Sequence, residues 1–428
     1  MDLLWFSADT KNKVFISEDL VANFSKKIEL QLGQLRKVVT VEIDSNLPFN
    51  TVAVPKSTTE RYTIPTDLPY EIVHNENMIK IGPVIGILCS FKRFFSQEHI
   101  GRMLDYNHIK GLFFVCSQKD INVEKGTIKG YYYNPSGKTR ETQWIEGIFP
   151  MPNVLYNRRK ILSSKLYKSL TDQDVNVFNS HYLNKWQQFK IFSKNVKLKN
   201  YFPETRRLSK TSLLKMLKKY NEIYVKPTSK ANGEGIRSIG KNVSGYSLKE
   251  NDCSVQIFKD INSLYQALRR KNYVLQQSVA YKTENRNVDF RVYLQKDETK
   301  QWNCPGFICK ISKENSIITN YKNRHKMLSG KEALTAIYNL PAEKAKEKER
   351  EMIQLCERLA EIIEAEGIHI GDVAFDIILD SKLKLWVLEI QIRYRACRKE
   401  EVDSDLYYKS MVTPLYYAKA IADFKNTL

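Results

Sequence analysis

The sequence predicts an α+β protein built from several domains. Three observations carry that expectation. At 428 residues the chain is too long for one ordinary core, so two or three domains are expected. Residues 1–78 read as short runs of β-branched and aromatic residues with no helical pattern. Beyond Ile81, apolar runs of strand length alternate with helix-period segments.

In the first 78 residues, LLWFS, KVFIS, KVVTVEI and NTVAVP are separated by polar turns and predict a β-rich module, a small barrel or sandwich. Residues 79–178 predict a small open α/β domain. VIGILCS (84–90) and GLFFVCS (111–117) flank a helix over 94–109, a hairpin region covers 125–149, and NVLYNRR (153–159) ends another strand. Residues 179–428 form a third unit. A polar helix spans 180–195, and 201–209 is a loop broken by Pro203. A basic helix spans 209–220. NEIYVKP is a strand, 238–250 a hairpin, 261–271 a helix and NYVLQQSV a strand. VDFRVYLQKD and WNCPGFICKIS predict paired strands. The clearest helix spans 341–367, with Met352, Ile353, Leu355, Leu359, Ile362 and Ile363 at helical spacing and Gly367 at its end. GDVAFDIILD and KLWVLEIQI are strands joined by SKL, and MVTPLYYAKAIADF closes the chain as a helix.

Composition narrows the function classes. No apolar run approaches the roughly 18 residues that span a bilayer. The segment MDLLWFSADTKNK has no basic region followed by an apolar stretch, so no secretory signal is expected. The seven cysteines, at 89, 116, 253, 304, 309, 356 and 397, contain no CxxC pair, and with six scattered histidines they predict reduced thiols rather than a zinc site. The formal charge of +20 attracts polyanions, but short basic runs such as Arg206-Arg207, Lys218-Lys219 and Arg269-Arg270-Lys271 read as solvated helix faces. No nucleic-acid motif accompanies them, so specific nucleic-acid binding is not expected.

Two stretches carry chemistry. VKPTSKANGEGI (225–236) ends an apolar strand on Lys226 and continues into a loop with Gly233 and Gly235. Glycine allows positive φ, which turns backbone N–H groups toward one anion, and lysine adds a point charge. The alternative is a surface hairpin with an edge lysine. In DVAFDIILD–SKL–KLWVLEIQ, residues two apart share a strand face, so Glu389 and Gln391 point together and Asp376 faces them from the neighbouring strand. Mg²⁺ takes oxygen ligands, commonly one or two carboxylates plus substrate phosphates. The alternative is a solvent-facing hairpin.

Taken in order, FPMPNVLYNRR, LNKWQQF, NYFPET, YVKPTSKANGEGI, VDFRVYLQKD and LWVLEIQIR resemble the YheC/YheD family, the endospore coat-associated ATP-grasp proteins, over nearly the whole chain. The resemblance implies an ATP-grasp fold over 179–428, two α+β lobes sandwiching ATP. It implies ATP and Mg²⁺ as cofactors. Lys226 would contact the α- and β-phosphates under the loop shaped by Gly233 and Gly235, and Lys185 would be a second nucleotide lysine; its alternative is a solvated lysine at a helix start. The stretch with Gln276, Gln277 and Val279 would read adenine. Asp289 would hold the ribose hydroxyls. Arg291 and Lys310 would serve phosphate transfer; for Asp289 and Arg291 the alternative is two charges on opposite faces of an edge strand. Asp376, Glu389 and Gln391 would hold the metal.

Four departures fall in the phosphate-transfer half. Gln391 stands where the family has asparagine, and arginines 393, 395 and 398 where it has proline and glycine. Arg324 and His325 replace a glycine pair after Asn320, and Lys310 replaces an arginine. Two readings follow. One is an ATP- and Mg²⁺-dependent carboxylate–amine ligase acting through an acylphosphate on an acidic or carboxylate substrate, with Arg158, Arg159, Arg393 and Arg395 as candidate anchors; the alternative for these arginines is that they satisfy backbone carbonyls. The other is a catalytically degenerate ATP-grasp scaffold of the spore coat. The family implies spore coat proteins as partners, and a place in the mother-cell cytoplasm or at the coat.

Overall fold

The computed structural model describes all residues except 8, 9, 11, 160, 161, 231, 232, 252, 253, 270, 271, 396, 397 and 425–428. Cys253, Cys397, Arg270 and Lys271 therefore lie outside the described residues. Four sheets organise the chain. The first has seven strands, in the order Asp2–Phe6, Thr51–Pro55, Lys13–Ile16, Leu35–Ile43, Lys27–Leu32, Met78–Gly82, Glu71–Asn75. It curls, since Trp5 on one end strand meets Tyr70 beside the other at a ring separation of 6.2 Å. The module is one curled sheet rather than two packed sheets.

The second sheet has a parallel heart. Val84–Leu88 lies between Leu112–Cys116 and Val154–Asn157, and Asn176–Phe178 follows on the outside. The inner three strands are buried throughout, as both-face coverage requires. The helix expected over 94–109 is broken into Gln97–Arg102, Tyr106–Ile109 and 3₁₀ turns. Gly101 lies close under Tyr407 and Met411 of the last helix, so this segment follows that surface. The last helix runs from Ser404 to Ile421, longer than expected, because Asp403 caps it by accepting from the Leu406 N–H at 2.8 Å.

The remaining two sheets are antiparallel. One runs Thr205–Arg207, Tyr273–Gln277, Glu222–Pro227, Arg237–Asn242, Gly245–Lys249, Val255–Phe258, with helices Lys210–Lys219 and Ile261–Leu268 packed on its core. The other runs Arg324–Ser329, Trp302–Ser312, Arg286–Lys296, Asp372–Leu379, Leu385–Gln391. Helix Ala342–Ala365 covers it, burying Met352, Leu355, Cys356, Leu359, Ala360 and Ile363. Each such large aliphatic side chain contributes about 1.5–3 kcal/mol. Ile353 and Ile362 flank that stripe half-buried, and Gly367 at φ 78° follows the helix end. Three expectations change here. The 201–209 loop contains an edge strand, and Arg324–Ser329 is a strand rather than a flexible stretch. The strand holding Asp289 and Arg291 is interior, and residues two apart share its face.

A sealed ionic network joins the parallel sheet to the last antiparallel one. Arg158 donates to Asp372 at 3.1 Å, to Glu98 at 2.8 Å and to the Tyr394 carbonyl at 2.8 Å. Gln295 donates to Asp372 at 2.8 Å, Tyr156 also donates to it, and Arg102 reaches Glu98 at 3.3 Å. Asp372 and Arg102 have no exposed surface. Burial pushes the Glu98 carboxyl upward, but Arg158 and Arg102 outweigh it and hold the group well below the usual range. Arg158 is thus spent inside the fold, and this corrects its assignment as a substrate anchor.

Candidate functional site

The two antiparallel sheets face each other across a cleft of about 800 Å³. From one side comes the strand Glu222–Pro227, central in its sheet and paired with both Tyr273–Gln277 and Arg237–Asn242. Alternation along it puts Val225 in the core and Lys226 toward the cleft, over the ring of Tyr224 at 5.4 Å. The Lys226 ammonium donates to the Gln276 amide oxygen, and Gln276 donates in turn to the Thr205 hydroxyl at 3.2 Å. Burial, with the Lys185 cation beside it, pushes Lys226 down to about 8. A buried lysine on a central strand is not the edge lysine of a surface hairpin.

The loop after it closes toward the opposite lobe. Gly233 and Gly235 both have φ of 71°, and a Cβ on Gly233 would lie 2.6 Å from the Ile318 methyl. Asn251 donates to the Gly233 carbonyl at 2.7 Å and fixes the turn. Gly233 lines the cleft, whereas Gly235 sits behind it against Pro227. At the end of the neighbouring strand, Gln276, Gln277 and Val279 line the cleft. The Gln277 amide oxygen accepts from the Glu204 N–H at 3.2 Å, which ties it to the edge strand.

Lys185 opens the helix Lys185–Phe192, whose cap Asn184 accepts from Trp186 and Gln187 while Gln187 reaches back to Asn184. The helix is shorter than the expected 180–195 and opens at Lys185, whose ammonium is not solvated: it meets the Glu389 carboxylate at 2.9 Å across the cleft.

The other wall is the acidic strand pair. Asp376 and Glu389 are direct partners in the ladder, and Gln391 lies two residues on. Arg291 grips Asp376 with two parallel bonds of 2.9 and 3.0 Å. Lys310 bridges Asp289 at 2.6 Å and Asp376 at 3.2 Å, and Gln391 donates to Asp376 at 2.6 Å. Burial raises the Asp376 carboxyl, but Arg291 and Lys310 outweigh it and keep it well below the usual range. Burial pushes Asp289 upward against the pull of Lys310. Asp289 therefore sits in the same ionic chain as Asp376. It also accepts from Thr319, a partner that no sequence pattern marked.

One cleft thus gathers Lys185, Lys226, Gly233, Gln276, Gln277, Val279, Asp289, Arg291, Lys310, Asp376, Glu389 and Gln391, with Gly235 just behind. Two antiparallel lobes holding a lysine, a glycine loop and a facing acidic pair form the ATP-grasp arrangement. Residues 174–421 match the family described as YheC/D like ATP-grasp, which is more than half of the chain. The chain belongs to this YheC/D-like ATP-grasp family.

Among curated proteins, the endospore coat-associated protein YheD of Bacillus subtilis (strain 168) is 26% identical over 357 residues, 76% of this chain and 75% of that protein. Two solved structures are also similar. The ATP-grasp ligase PsnB complexed with minimal precursor, Mg and ADP has a TM-score of 0.44 at 11% identity, covering 77% of this chain and 98% of PsnB. N5-carboxyaminoimidazole ribonucleotide synthetase from Thermotoga maritima has a TM-score of 0.41 at 12% identity, covering 80% and 76%. In this YheC/D-like chain the family match takes in both cleft walls. Among its described residues, no helix is long and apolar enough to cross a membrane.

Proposed function

We propose that this cleft binds ATP with Mg²⁺, and that the protein is an ATP-dependent carboxylate–amine ligase. The observation that carries the reading is the facing of two walls: Lys226, buried and held near pKa 8 under a positive-φ glycine, opposite Asp376 and Glu389. A buried ammonium without a carboxylate of its own gains most from a polyanion that fills the cleft. By residue type the donor set fits a hard cation: Asp376, Glu389 and Gln391 carry oxygens on adjacent strands and would hold Mg²⁺ in place of the cations Arg291, Lys310 and Lys185 that engage the two carboxylates. When bound, the metal neutralises phosphate charge.

The chain's own residues do the rest. Lys226 and Lys185 neutralise phosphate oxygens, and the glycine loop brings backbone N–H groups to them. Arg291 and Lys310 already stand beside Asp376, where charge develops as a substrate carboxylate attacks the γ-phosphorus and ADP departs. An amine nitrogen then attacks the acyl carbon, loses its proton, and phosphate leaves. The relative named endospore coat-associated supports a role in the mother cell or at the coat, with coat proteins as partners.

One observation favours the second reading, a coat scaffold that keeps the fold without turnover. Both Asp376 oxygens are already engaged by Arg291, Lys310 and Gln391. Thermal melts with ATP, with and without Mg²⁺, test the proposal. Stabilisation of about 2.7 kcal/mol at a hundredfold excess over Kd is expected, lost in Lys226→Ala. ADP release that depends on an added carboxylate and on Glu389 separates ligase from scaffold. A flat melt at millimolar ATP overturns the ligase reading and leaves the scaffold.

A further inference from the structure

Beside the acidic strand pair, the cleft mouth holds a group that the phosphate chemistry does not use. Tyr321 is 55% exposed, and three guanidinium groups surround its ring. Their carbons stand 4.6 Å (Arg395), 5.0 Å (Arg398) and 5.5 Å (Arg324) from the ring centroid. Tyr321, Arg324 and Arg395 also line the cleft. Arg398 donates to the Tyr321 hydroxyl at 3.4 Å, and the Glu401 N–H bonds to the Arg398 carbonyl at 3.0 Å, which closes the turn.

The charges do not balance. Arg324 has Glu401 at 2.8 Å. Among the described residues, no carboxylate lies within ion-pair distance of Arg395 or Arg398. Each exposed cation–π contact is worth about 0.5–1 kcal/mol. Three like charges gathered on one ring also repel one another, which offsets part of that gain. The arrangement therefore contributes little to stability, and it presents unmatched planar forks suited to carboxylates. Its neighbours connect it to the reaction. The segment carrying Tyr321 also carries Ile318 and Asn320, which touch the Gly233 loop, and the segment carrying Arg395 leaves the strand that bears Glu389 and Gln391.

We propose that the substrate is a polycarboxylate long enough to reach from the cleft floor to its mouth, an acidic peptide segment, with one carboxylate reacting and others held by Arg395 and Arg398 around Tyr321. The reacting role rests on the ligase reading; the binding role does not. Exposure of the cluster at the mouth means that its ligand continues out of the cleft, which a chain does and a small acid does not.

Fluorescence anisotropy of labelled hexaglutamate on the full chain, at physiological salt, tests this. Arg395→Gln/Arg398→Gln is expected to weaken binding at least tenfold, and Tyr321→Leu less. Lys344→Gln/Lys346→Gln, two exposed lysines of the helix Ala342–Ala365, removes the same formal charge and is expected to leave binding unchanged. An equal loss in both double variants means non-specific attraction to the +20 chain and overturns the proposal. So does citrate or inorganic phosphate competing as well as hexaglutamate. The ATP melt runs in parallel: stabilisation by ATP without hexaglutamate binding sinks this proposal alone, and a flat melt with intact hexaglutamate binding sinks the ATP reading alone.

Discussion

Two buried ionic networks in this chain have similar members and opposite surroundings. At the junction, Arg102, Arg158 and Asp372 are closed in by Tyr156, Gln295 and Tyr394, and only Glu98 reaches the surface, beside Arg93. In the cleft, Asp289, Arg291, Lys310 and Asp376 form a comparable chain, but one face looks onto about 800 Å³ of open space. A buried charge with every neighbour supplied by the fold serves the fold. A buried charge that faces a cavity is kept for a partner. Burial alone does not tell the two apart; what lies on the remaining side does.

The largest expected effect breaks the sealed network. Arg158→Ala leaves Asp372 and Glu98 short of a cation and is expected to cost about 3–5 kcal/mol by denaturant unfolding. Asp376→Asn is expected to cost less than half of that, because cleft water can reach Arg291 and Lys310. Equal losses would erase the distinction.

Next is Lys226. Its folded pKa, near 8, lies below the ordinary 10.5, so the buried ammonium is a penalty below pH 8 that fades as pH rises toward 10.5. Lys226→Met is therefore expected to be more stable than the parent at pH 7, by up to about 3 kcal/mol, with the gap closing between pH 8 and 10.5. ATP affinity of the parent runs the other way. It is expected to fall by up to about tenfold from pH 8 to 9 as the ammonium deprotonates. Melts and ATP titrations over that window read both signs.

Gly233→Ala is a smaller change. Its φ of 71° and the Ile318 methyl make a Cβ costly by about 1–2 kcal/mol. The loss should appear both in the melt and in ATP binding, since the loop is shared. Smallest is Lys409→Ala, which removes an exposed pair with Asp405 at 2.8 Å and is expected to change stability by no more than about 0.5 kcal/mol.

The cleft was legible in the sequence because its signals are local. A strand alternates, so Glu389 and Gln391 had to share a face, and a glycine-rich loop after a strand lysine advertises positive φ. The junction was not legible. Glu98, Arg158, Asp372 and Tyr394 come from separate segments, and each alone looks like an ordinary polar residue. For Arg158 the sequence leaves substrate anchor and carbonyl partner equally open, because exposure is a property of the assembled fold, and the structure gives it the Tyr394 carbonyl. The strand Arg324–Ser329 escaped notice because Leu328 is its single buried residue and RHKMLS shows no alternation. Tyr321 was passed over for the same reason as Arg158: its three arginines converge from two distant stretches.

The junction also bears on how such a chain can change over generations. The family match starts at residue 174, yet Asp372 inside it depends on Tyr156 and Arg158, which precede it. Recombination that grafted residues 174–421 onto another leading segment would leave Asp372 with Gln295 and Tyr394 but without its paired cation, Arg158. The catalytic-looking half therefore draws one buried cation from the half before it, and a change at either Arg158 or Asp372 is felt by both.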